Sequence, residues 1–140
     1  MPLPDLCTDE EIRVMVHAFY ADVRRDKVLG PIFNEHVADW DEHLATLVDF
    51  WSSILRGTGR FSGTPMSKHV ALDDLRPELF QRWLALFQVI TSTQPNQAMG
   101  ARAQAVAQRI AQSLWYGYQM HRDPHNLPRQ FSFESATERP

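Results

Sequence analysis

The chain has 140 residues, enough for one domain with a single core and room for a ligand. Its 14 Lys and Arg stand against 17 Asp and Glu, a net charge of −3 with the signs interspersed, which excludes the clustered basic face that nucleic-acid binding needs. No apolar run approaches a membrane span, and the Met-Pro-Leu-Pro-Asp start lacks a signal peptide's basic and apolar stretches. Cys7, the single cysteine, has no partner for an internal disulfide, so a cytoplasmic setting is expected.

Along the chain the hydrophobic pattern is helical and strand signals are missing. Thr8 followed by Asp9, Glu10 and Glu11 reads as a helix start, because the threonine oxygen and the Glu11 carboxylate can each take a free amide. Ile12, Val16, Phe19, Tyr20 and Val23 then recur at helical spacing, on a face that ends near Arg24-Arg25-Asp26. Gly30-Pro31 is expected to stop any continuing helix. The next helix begins near Asp39 and carries Trp40, His43, Leu44, Leu47, Val48, Trp51 and Leu55 on one face.

Between Arg56 and Pro65 three glycines and a proline forbid a long helix, so the residues around His69 can form only a short helical turn. Pro77 suits the first turn of another helix, running through Leu79, Phe80, Trp83, Leu84, Phe87 and Ile90 to the Thr91-Ser-Thr-Gln-Pro95 break. A last helix runs from about Asn96 to Met120 with Val106, Ile110 and Leu114 inward. From Asp123 onward three prolines and mixed polar residues predict a disordered tail, residues 123–140, after a domain of residues 1–122. Four or five such helices make an all-α domain, but periodicity does not choose among the ways of packing them.

Several side chains have a bland and a chemical reading. His69, on a short apolar turn after a flexible connection, is either a surface histidine or an axial ligand for haem iron, one ring nitrogen on the metal and the other held by a hydrogen bond. His43 is either a core-edge histidine or part of a site. Tyr20, on the buried face of the first helix, needs a partner for its hydroxyl, and a backbone carbonyl would suffice. Trp83 is either core packing or an indole donor. His17, His36, His121 and His125 are read as surface residues.

The Phe19-Tyr20 pair, the Leu-Gly-Pro-Ile-Phe run ending in Phe33, Trp40 with His43 and then Phe50-Trp51, the Gly63, Pro65, His69 stretch, and the run from Phe80 through Trp83 to Phe87 stand in one order. In that order they resemble the truncated haemoglobins, specifically the third group, the small bacterial globins with a reduced helix set. The likeness runs from about Ile12 to about Gly117. The glycine pairs that mark the other groups are absent. The resemblance implies a two-over-two helical sandwich around haem b, with His69 as the proximal iron ligand. It implies that Tyr20 and Trp83 stabilise a distal ligand that gains negative charge, and that His43 lies over the distal side as a gate or weak donor. Ligation of iron by both His43 and His69 in the ligand-free form is the competing role.

Phe33, Leu47, Leu72 and Phe80 would line the haem, and Lys68 and Arg56 are the nearest candidates for its propionates, against the plainer reading that both are solvated surface charges. The implied function is reversible binding of oxygen, and of NO and CO, for oxygen or NO chemistry rather than bulk transport, served by an unidentified reductase. NO dioxygenase and peroxidase-like activities are the enzyme alternatives, and a gas sensor is disfavoured because no output domain is attached. A haem-free helical interaction module is the reading from a different class.

Overall fold

The structure, a computed structural model, describes residues 5–62, 75–125, 127 and 128. Helix α1 spans Asp9–Arg25 and opens on the expected capping box: the Glu11 amide donates to Thr8 Oγ1 at 3.1 Å, and the Thr8 amide donates to Glu11 Oε1 at 2.8 Å. Asp26 ends α1, and its carboxylate then accepts from the amides of Val28 and Leu29 at 3.0 and 2.9 Å, which starts α2, Leu29–His36.

This second helix corrects the sequence reading. Gly30-Pro31 does not close a helical stretch but lies in the first turn of a new one. A proline costs nothing there, because first-turn amides have no intrahelical partner. Gly30 is required for packing: a Cβ at that position would stand 2.6 Å from the Arg24 carbonyl oxygen, so the side-chain-free residue lets α2 fold back tightly on α1.

Helix α3, Trp40–Arg56, is capped by Asp39, whose Oδ1 accepts from the Glu42 amide at 3.2 Å, and it ends on Gly57 in the left-handed region at φ 71°. Helix α4, Pro77–Thr93, has its proline in the first turn as expected, and α5, Gln97–Arg122, is capped by Asn96. The expected tail from Asp123 lies mostly outside the described residues.

The two long pairs are α1 on α3 and α4 on α5, with α1 also crossing α4 and α3 meeting α5. Ile12, Phe19, Val23, Leu55, Phe87 and Met99, each at most 1% exposed, form the seam where the pairs meet. Phe87 stacks between Trp51 and Trp83, both at 5.3 Å, while the edge of Phe19 meets it at 4.9 Å. Helices α4 and α5 close tightly because Gly100 faces Thr91, whose carbonyl oxygen would lie 2.6 Å from an added Cβ.

Asn96 joins two helix starts. Its Oδ1 accepts from the Met99 amide at 3.0 Å, and its Nδ2 donates to the Leu6 carbonyl at 2.9 Å and to the Glu11 carboxylate of the α1 box at 3.2 Å. His17, His36, His121 and His125 are exposed, as expected. Among the described residues no helix is long and apolar enough to cross a membrane.

Candidate functional site

Tyr20 sits on the inner face of α1, only 5% exposed. Burial pushes its hydroxyl up, far from ionising at neutral pH, and the Trp83 indole N–H opposes that shift as a hydrogen-bond donor to the same oxygen. The phenol therefore stays neutral and keeps a proton to donate. Around it stand Phe33 at 5.9 Å, Trp40 at 6.2 Å and His43 at 6.1 Å, the imidazole meeting it edge-on. Trp83 reaches the same place from α4, held flat on Phe87 and against the edge of Phe19 at 5.1 Å.

Helices α1, α2, α3 and α4 thus each contribute a side chain to one aromatic group. Four of the residues singled out from the sequence, Tyr20, Phe33, His43 and Trp83, come together there. Trp40 frames its outer edge: its Nε1 donates to Asn34 Oδ1 at 3.1 Å, the Arg24 guanidinium covers its ring at 4.5 Å, and its face stacks with Phe33. His43 is half-buried and meets Trp40 edge-on at 5.5 Å, so it stands at the rim rather than in the core.

Leu47 lies one turn beyond His43 on α3, half-buried with Leu44 and Val48. Phe80, one turn before Trp83, is buried and packs against Trp115 of α5 at 5.8 Å. His69, Lys68 and Leu72 lie outside the described residues. The chain on either side of that stretch is tied to the helices, by the Phe61 amide donating to Ser53 Oγ at 2.9 Å and the Leu75 amide donating to the Tyr118 hydroxyl at 3.1 Å.

Arg56, weighed from the sequence for a propionate, pairs with Asp9 Oδ1 at 2.6 Å, beside Arg60 at 3.1 Å. The hydrogen bonds from Arg60 and Arg56 hold the Asp9 carboxyl below the usual range. Among the described residues no group of three or more His, Cys, Asp or Glu could hold a metal ion.

One polar pair beside the aromatic group was not foreseen. Arg82, next to Trp83, forks onto Asp26, with Nε at 2.7 Å from Oδ2 and Nη2 at 2.9 Å from Oδ1. Nothing in the sequence pairs two residues so far apart.

No family model matches the chain. A curated relative, the group 3 truncated hemoglobin ctb of Campylobacter jejuni, is 35% identical over 120 residues, which cover 80% of this chain and 94% of the relative. This chain belongs to the third group of truncated haemoglobins. The crystal structure of the group III truncated hemoglobin from Campylobacter jejuni superposes with a TM-score of 0.73 at 35% identity, covering 81% of this chain and 92% of that one. The fold of this truncated haemoglobin is therefore the two-over-two globin arrangement that the order of motifs implied, all helical among the described residues.

Proposed function

We propose that this truncated haemoglobin binds haem b and holds a diatomic ligand, oxygen in the first place and also NO or CO, on the side of the haem that Tyr20 and Trp83 face. Membership of the family implies haem binding, and the residues present fit that group. Leu44, Leu47 and Val48 on α3, Phe33 on α2 and Trp83 on α4 stay half-buried, an apolar wall suited to a flat apolar ring. The one observation that carries the reading is that a buried, neutral Tyr20 hydroxyl and the Trp83 indole that donates to it are set together among aromatic rings, beside His43.

When bound, haem supplies a ferrous iron that takes the ligand and shifts electron density onto it. His69 would hold the iron, Leu72 and Phe80 would add to the apolar lining, and Lys68 would pair with a propionate. With a ligand bound, the Tyr20 hydroxyl would donate to its electron-rich end, the Trp83 indole would turn its single N–H from the Tyr20 oxygen to the ligand, and His43, at the rim, would control entry. Two donors on one ligand retain oxygen strongly, which suits oxygen or NO chemistry better than transport and calls for a reductase to restore the ferrous state. A reducing, cytoplasmic setting is supported by the single cysteine, Cys7, which is buried and has no second cysteine to pair with.

The test is an absorption spectrum of the purified chain with added haem. A sharp Soret band with the features of histidine ligation is expected, lost in His69→Gly and restored there by free imidazole, while His43→Ala keeps the haem. Equal haem loss from both substitutions, or from neither, would contradict the assignment of His69.

A further inference from the structure

We propose that the Asp26–Arg82 pair is a positioning device for the distal donors, fixing Trp83 against Tyr20 and thereby setting how strongly the pocket favours oxygen over carbon monoxide. The inference rests on the reading of Tyr20 and Trp83 as ligand donors. Asp26 ends the helix that carries Tyr20, and Arg82 immediately precedes Trp83 on α4. Between these helices the contacts at the site are largely ring on ring, Phe19 against Trp83 and against Phe87, and such contacts tolerate sliding.

A fork-on-fork pair does not slide, because both bonds, at 2.7 and 2.9 Å, hold only at one register of α4 along α1. The carboxylate is itself fixed: its side chain is 9% exposed, and the amides of Val28 and Leu29 also donate to it. One rigid carboxylate thus locks the end of α1, the start of α2 and the residue beside Trp83. A donor misplaced by about an ångström loses much of its effect on a ligand, so the pair acts on the ligand through Trp83 without touching it.

Arg82→Gln removes the fork and leaves the amide bonds of Asp26 in place. In the haem-loaded protein, oxygen release should speed up by about three- to tenfold, part of what losing a whole hydrogen bond would give, while carbon monoxide release stays nearly constant. In the diamagnetic carbon monoxide complex the Trp83 indole proton should exchange faster with solvent. Arg82→Lys, which keeps the charge and loses the fork, should move both readouts in the same direction and carries the test if Arg82→Gln does not fold. Introduced into Trp83→Phe, Arg82→Gln should add little to oxygen release.

The inference is overturned if oxygen and carbon monoxide release change by one factor, if neither changes, or if Arg82→Gln acts as strongly in Trp83→Phe as in the native chain. If Trp83→Phe itself leaves oxygen release unchanged, the donor reading of Trp83 fails first and this inference falls with it. If Trp83→Phe accelerates release and Arg82→Gln does not, the positioning role alone is lost.

Discussion

At the scale of single residues, the proposed role of Tyr20 and Trp83 is that a phenol buried beside an indole would make the pocket respond to charge. Tyr20 is a neutral phenol, pushed further from ionising by burial, and Trp83 can only donate, so both would favour a ligand that has drawn electron density over one that has not. A hydrogen bond to a charged acceptor contributes about 1.5–3 kcal/mol, and about 1.4 kcal/mol is tenfold in a rate constant. Tyr20→Phe or Trp83→Phe is therefore expected to accelerate oxygen release by roughly ten- to a hundredfold, with carbon monoxide release far less affected. Stopped-flow displacement measures both. A common factor for the two gases would make the effect steric. His43 is half-buried and edge-on to both Tyr20 and Trp40, and on the proposed role as a gate His43→Ala should raise the association rate of carbon monoxide in flash photolysis. An unchanged rate would reduce the imidazole to packing.

At the scale of elements, the corner between α1 and α2 is held by one carboxylate, and its ionisation makes a prediction for stability. Arg82, above all, and the amides of Leu29 and Val28 bring Asp26 down to about 2 from 3.8. A folded value below the unfolded one means that the stabilisation is fully present above about pH 4 and is lost as the pH falls through about 2. A shift of this size corresponds to about 2 kcal/mol. Asp26→Asn should lower the unfolding free energy by about that amount at neutral pH and by little near pH 2, as denaturant titrations at the two acidities would record. An equal loss at both would place the effect in packing.

The helix starts at Thr8, Asp39 and Pro77 were readable in the sequence because each is encoded within four residues. Helix α2 was not, since a proline is read as a breaker unless its place in the first turn is known. The Asp26–Arg82 pair was not readable for a different reason: it joins residues that only the crossing of α1 and α4 brings together.

At the scale of the whole molecule, periodicity supplied the helices and their inner faces, and the order of short motifs supplied their arrangement. Tyr20, His43 and Trp83 could be singled out because the motifs name them. The meeting of His43 and Trp83 around Tyr20 depends on α1 packing on both α3 and α4, which no local pattern specifies. Asn96 carries a consequence for handling the protein. Because one amide side chain holds the Leu6 carbonyl, the Glu11 carboxylate and the Met99 amide, the segment leading into α1 and the start of α5, the longest helix among the described residues, share a single knot. A rigid fusion close ahead of Leu6 should therefore disturb the start of α5 as well as that of α1. A spacer between such a fusion and the chain, leaving Leu6 and Cys7 seated as they are, should spare both.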